Sequence, residues 1–221
     1  MARIVFDLDG TLIDSAPDIH AIANATLAGI GAAPITLAEA RSFIGNGVPT
    51  FVARMRAARG IPDSKQEALT QVFLDRYDGA HGLTRIYPGA ERALDRLRGD
   101  GHALGICTNK PERPCRAVLD HLDLARHFDV ILGGDTLDRR KPDPAPLRAA
   151  FDALPHGPCL YVGDSDVDAE TALRADVPFV LFTEGYRKSA IAELPHAVAF
   201  DDWSAMPGHV ADLLAQGAST G

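Results

Sequence analysis

Short, unbroken apolar runs recur along the chain at residues 3–6, 103–107, 129–132, 159–162 and 179–182, with a weaker one at 197–200. Their polarity does not alternate, as befits strands covered on both faces. Residues with helical spacing lie between them, over 90–97, 113–121, 145–154 and 167–174. Strand–helix alternation with short links predicts an α/β fold built on a doubly wound parallel sheet, a Rossmann-like core.

One interval breaks the alternation. From the first strand to Pro88 no convincing strand is present, and this stretch of about seventy residues is long enough for a small domain. Ile19, Ile22, Thr26, Leu27 and Ile30 fall at helical spacing. So do Val48, Phe51, Val52 and Met55, and then Leu69, Val72, Phe73, Arg76 and Tyr77. Gly29, Gly31, Gly45, Gly47 and Gly60 punctuate them. The pattern predicts a catalytic core of residues 1–14 and 86–221 and an inserted helical cap of residues 15–85. Ligands in such sheets bind beyond the carboxyl ends of the strands, so an insertion there would lie over the site as a lid. Residues 216–221 have nothing to pack against and are expected to fray.

The composition of the 221 residues, 46% hydrophobic and 24% charged, is that of a globular chain. Lys and Arg number 22 against 30 Asp and Glu, a net charge of −8. An acidic surface disfavours nucleic acid but leaves room for a small anionic substrate at a local positive site. Cys107, Cys115 and Cys159 form no C-x-x-C pair, which argues against a disulfide framework or a cysteine zinc site. The amino terminus reaches Asp7 and Asp9 too soon for a secretory signal, and no apolar run approaches the ~20 residues of a membrane helix. A cytoplasmic protein is expected, either monomer or homodimer.

Asp7-Leu8-Asp9-Gly10-Thr11 follows the first strand directly. Strand geometry aims Asp7 and Asp9 the same way and Leu8 into the core. Two adjacent carboxylates repel, and a divalent cation is the simplest resolution, although a hydrophilic turn ending at Gly10 would also place acids there. Thr108 and Asn109 follow the second strand, Lys141 comes after the third, and Asp164 and Asp168 follow the fourth. A parallel sheet gathers those ends, and the set suits a Mg²⁺ ion and a phosphoryl group.

This constellation resembles the haloacid dehalogenase superfamily of phosphohydrolases over the whole chain. Asp7 to Thr11 are similar to its first motif, Thr108 to its second, Lys141 in Lys141-Pro142-Asp143-Pro144 to its third, and Gly163-Asp164-Ser165 through Asp168 to its fourth. Four further stretches resemble its phosphoglycolate phosphatase branch: Phe43 to Gly47, Thr108 to Pro111, Gly134 to Leu137 and Thr183 to Tyr186. The resemblance implies Asp7 as nucleophile and Asp9 as general acid and then base. Dehalogenases expel halide without a proton and lack an acid at the position of Asp9, so Asp9 argues for phosphorus. Asp7, the Asp9 carbonyl and Asp164 would hold Mg²⁺, with Asp168 reaching it through water or serving only the first turn of its helix. Lys141, Thr108 and Asn109 would meet the phosphoryl oxygens, and Gly45-Asn46-Gly47 would contact substrate.

Other features carry less. Cys107 reads as a small strand hydrophobe. Arg113 and Arg187 either add positive potential or are solvated. Gly133-Gly134 lacks nucleotide-loop spacing. Asp176 stands where the superfamily usually has Gly at a helix end, a position Asp tolerates with φ > 0. The expected activity is Mg²⁺-dependent hydrolysis of a small phosphomonoester, 2-phosphoglycolate first. Pyrophosphatase, sugar phosphatase and sugar-phosphate mutase activities are the alternatives, and a non-catalytic binding module is disfavoured because every catalytic group is present.

Overall fold

The computed structural model describes residues 1–218. Six strands form one parallel sheet: β1 (Arg3–Phe6), β4 (Ala103–Cys107), β5 (Val130–Leu132), β6 (Cys159–Gly163), β7 (Phe179–Phe182) and β8 (Val198–Phe200). Their order is β5-β4-β1-β6-β7-β8. Phe6 is level with Ile106 on one side and Val162 on the other, so the ends of the three central strands open together. The order reverses at β1, where doubly wound sheets bind ligands.

Both faces are covered, which is why the strands read as unbroken apolar runs. Ile4, Phe6, Leu104, Ile106 and Val162 face a core closed by α5 (Ala90–Gly99), α6 (Glu112–His121) and α9 (Met206–Ala218). Val5, Cys107, Tyr161 and Leu181 face the opposite core, under α7 (Ala145–Asp152) and α8 (Asp166–Ala175). Asp176 ends α8 at φ 59°, ψ 49°, the left-handed conformation its sequence context predicts. Residues 216–218 continue α9 rather than fraying, and 219–221 lie outside the described residues. Among the described residues no helix is long and apolar enough to cross a membrane.

Between β1 and α5 the chain makes four helices: α1 (Ala16–Ala28), α2 (Leu37–Phe43), α3 (Val48–Ala58) and α4 (Gln66–Tyr77). Ile19, Ile22, Leu27, Val52, Met55, Leu69 and Phe73 build a separate apolar cluster among them. Ile30, expected on the buried stripe, is exposed because α1 stops at Ala28 and Gly31 turns the chain at φ 69°. The outgoing and returning segments form an antiparallel ribbon, β2 (Ile13–Asp14) with β3 (Arg85–Ile86). The buried Asp18 carboxylate ties the return, accepting hydrogen bonds from Leu83 N, Thr84 N and Thr84 Oγ1.

Candidate active site

The ends of β1, β4 and β6 deliver Asp7, Thr108 and Asp164 to one place, and the loop after β5 brings Lys141 beneath them. Asp7 Oδ1 lies 2.9 Å from Lys141 Nζ, which also contacts Asp168 Oδ1 at 2.6 Å. Lys141 Nζ donates to Tyr161 Oη at 2.8 Å, and that hydroxyl donates to Asp168 Oδ1 at 2.7 Å. Asp164 accepts from Thr11 Oγ1 at 2.7 Å and from Tyr186 N at 2.5 Å. The Tyr186 loop comes this close because Gly185 has no side chain. A Cβ there would stand 2.3 Å from Asp164 Cβ.

Carboxylate oxygens of Asp7, Asp164 and Asp168 lie within 4.8 Å of one another, and all three residues are buried. Burial pushes the Asp7 carboxyl up to about 6; Lys141 pulls it down, and Asp168 and Asp9 push it further up. Burial, followed by the charges of Asp168 and Asp7, pushes Asp164 well above the carboxylate range. For Asp168 burial acts upward too, but the charge and hydrogen bond of Lys141 outweigh it and hold that carboxyl down. Lys141 itself is pushed up, because Asp168 and Asp7 overcome the effect of its burial. Asp7 and Asp168 thus share one ammonium, and the Asp164 carboxyl lies beside them with no cation paired to it among the described residues. That surplus of negative charge on hard oxygen donors fits a divalent cation.

The expected residues divide accordingly. Asp7 and Asp164 offer oxygens to such an ion. Asp168 lies in the cluster, but its oxygens already serve Lys141, Tyr161 and, as the N3 member of the α8 capping box, Ser165. The helix-turn role is therefore filled in this structure. Asn109 lines the cavity that Asp7 and Asp9 face, and its side-chain amide protons go to the carbonyls of Gly45 at 2.9 Å and Lys141 at 3.0 Å. It fastens the helical unit to the loop of Lys141. Thr108 Oγ1 accepts from Lys110 N, leaving its own proton free of an acceptor among the described residues.

Asp7 and Asp9 face a cavity of about 40 Å³. Its floor is Asp7, Asp9, Thr108, Asn109 and Lys110, and its roof is Ile19, Ile44, Gly45, Gly47, Val48, Phe51, Phe73 and Tyr77. Gly45 and Gly47 sit at φ 115° and 82°, conformations that glycine adopts without strain. Asn46 between them is not among the residues lining the cavity, and its Oδ1 accepts from Arg54 Nη2 at 3.0 Å. Arg113 pairs with Asp78 at the surface and Arg187 donates to the Thr183 carbonyl. Burial pushes the Cys107 thiol up to about 12, so it is no nucleophile.

Sequence reasoning missed Lys110 and Tyr77. Lys110 Nζ lies 3.3 Å from Asp9 Oδ1 and donates to Tyr77 Oη at 2.9 Å, while Ser15 Oγ donates to Asp9 Oδ1 at 2.5 Å. The stretch Thr108 to Pro111 carried the only signal.

A family model described as haloacid dehalogenase-like hydrolase matches residues 1–176. The chain belongs to that hydrolase family. Within the haloacid dehalogenase-like hydrolases it is a phosphatase. It is 51% identical over 218 residues to a phosphoglycolate phosphatase of Cereibacter sphaeroides, covering 97% of this chain and 100% of the relative. A phosphoglycolate phosphatase of Rhodobacter capsulatus is 43% identical over 210 residues, covering 94% of this chain and 95% of the relative. The crystal structure of a predicted phosphoglycolate phosphatase from Haemophilus somnus superposes with TM-score 0.86 at 28% identity, covering 94% and 96% of the two chains.

Proposed function

We propose that the protein is a Mg²⁺-dependent phosphomonoester hydrolase that converts 2-phosphoglycolate to glycolate and phosphate through an aspartyl phosphate on Asp7. The observation that carries this is the pair Asp7 and Asp9 facing one small cavity, with Lys141 fixed behind Asp7. An Asp7 oxygen attacks phosphorus and the bond to the leaving oxygen breaks. Asp9, held by Ser15 and Lys110, gives its proton to the departing alkoxide. It then takes a proton from the water that attacks the acyl phosphate, releasing phosphate and restoring Asp7. Thr108 donates its hydroxyl proton to a non-bridging oxygen, and Lys141 favours the ionised Asp7. The Asp7 and Asp164 carboxylates and the Asp9 carbonyl would hold Mg²⁺, which would supply positive charge for the phosphoryl oxygens.

Residues 15–85 act as a cap over a core of residues 1–14 and 86–221, and the ribbon of β2 and β3 is where the two parts can hinge. The helical unit roofs the cavity beside Asp7 and Asp9, which suits a small metabolite and no phosphoprotein. The names of the Cereibacter and Rhodobacter relatives support the choice of 2-phosphoglycolate. Three free cysteines fit a reducing compartment, and we place the enzyme in the cytoplasm. The test is Mg²⁺-dependent phosphate release, ranked by kcat/KM for 2-phosphoglycolate, pyrophosphate, phosphoserine, glycerol phosphates and hexose phosphates. A clear lead for 2-phosphoglycolate is expected. A flat profile, or another leader, would overturn the substrate.

A further inference from the structure

Lys110 is the one cation among the described residues lining the cavity, and it is buried. Buried ammonium groups are costly unless partnered. Here the partners are the Asp9 carboxylate and Tyr77 Oη. An ammonium has three donors. Asp9 accepts only at long range, 3.3 Å to Oδ1 and 3.5 Å to Oδ2, and Tyr77 Oη accepts at 2.9 Å. Tyr77 Oη thus accepts from Lys110, while its own proton has no acceptor among the described residues. Burial, partly opposed by Lys110, pushes that phenol up to about 12, so the proton is retained. The wall beside Asp9 therefore presents an unspent proton on a hydroxyl 2.9 Å from an ammonium that Asp9 holds only at 3.3–3.5 Å.

We propose that Lys110 Nζ and Tyr77 Oη form a cradle for the carboxylate of the leaving group and select phosphate esters of 2-hydroxycarboxylic acids. The proposal rests on the hydrolase reading above. Two donors side by side match the two oxygens of one carboxylate. Their position sets the length of the substrate. Asp9 serves the leaving oxygen, and Lys110 Nζ is only 3.3 Å from the Asp9 carboxylate. A carboxylate one carbon from the ester oxygen falls within reach of both donors. One carbon more carries the charge towards the apolar walls of Phe51, Phe73 and Val48. Tyr77 comes from the helical unit and Lys110 from the core, so the cradle is complete only when the two are together. Binding of the correct acid thereby favours the closed arrangement.

A competing role is that Lys110 merely positions Asp9. That role would affect every ester alike, whereas a cradle affects only those with a carboxylate. The experiment measures kcat/KM of the wild type, Lys110→Met and Tyr77→Phe on 2-phosphoglycolate, ethyl phosphate and 3-phosphooxypropionate. The wild type is expected to favour 2-phosphoglycolate over both other esters. Each variant should lower the phosphoglycolate to ethyl phosphate ratio by about 10–100-fold, the scale of one hydrogen bond to a charged group. Tyr77→Phe keeps the ring and the Lys110–Asp9 pair, and thermal melting checks the fold of both variants. A wild-type preference that Tyr77→Phe leaves intact would overturn the cradle and spare the substrate. A wild type with no preference for 2-phosphoglycolate would overturn both.

Discussion

Asp7→Asn separates the cost of the nucleophile from its use. Burial raises the Asp7 carboxyl from 3.8 to about 6, so the folded protein binds that proton more tightly than the unfolded chain does. Below pH 3.8 the carboxyl is neutral in both states and its ionisation costs nothing. As pH rises the unfolded chain ionises first, and above pH 6 the full penalty is present, about 3 kcal/mol at ~1.36 kcal/mol per pH unit. Asparagine keeps the shape without the charge. In chelator near pH 7.5, Asp7→Asn is expected to be inactive and about 3 kcal/mol more stable than wild type, or ~6–12 °C in Tm. The gap should narrow to about half at pH 5. Mg²⁺ at a hundredfold excess over its Kd contributes about 2.7 kcal/mol to the wild type and should nearly close the gap at the higher pH. Urea unfolding at both pH values, with and without Mg²⁺, measures all three quantities. A variant less stable than wild type in chelator, or a gap independent of pH, would refute the charge argument.

Three other substitutions test separate parts of the site. Lys141→Met leaves the buried Asp7 and Asp168 carboxylates without their shared partner and should cost about 3–5 kcal/mol in chemical denaturation; a loss below about 1 kcal/mol would contradict the ion-pair geometry. Gly185→Ala drives a methyl group into Asp164 and should weaken Mg²⁺ binding by about 10–100-fold in calorimetry, whereas wild-type affinity would contradict the close approach. Asp9→Asn should lower kcat/KM, which reports transfer to Asp7 and not the later attack of water, by about 10²–10⁴-fold for an alkyl phosphate and far less for p-nitrophenyl phosphate, because nitrophenolate leaves without a proton. Equal losses would remove Asp9 as the leaving-group acid.

All six strands of the sheet coincide with apolar runs because burial on both faces leaves no polar position to blur them. The ribbon of β2 and β3 escaped notice, since two residues per strand show no periodicity. Helix α2 was also missed, although Thr36 and Glu39 spell its capping box. Pro207, Gly208 and Gly217 disguised α9. In the site, Asp7, Asp9 and Asp164 were legible because acids directly after apolar strands have few structural uses. Lys110 was not, since a lysine in a loop looks the same whether solvated or buried against Tyr77, 33 positions away. For Asn109 the residue type announces donors, and only the fold reveals that Gly45 and Lys141 take its side-chain protons.

The central claim is that Asp7 carries the phosphoryl group. Mixing the enzyme with 2-phosphoglycolate and Mg²⁺, quenching in acid within the first turnover and reducing with borohydride converts an aspartyl phosphate to homoserine, which peptide mass mapping locates. Homoserine at position 7, absent without substrate and absent from Asp7→Asn, is the expected result. Turnover with position 7 unmodified, or with the modification at Asp9, would contradict the account.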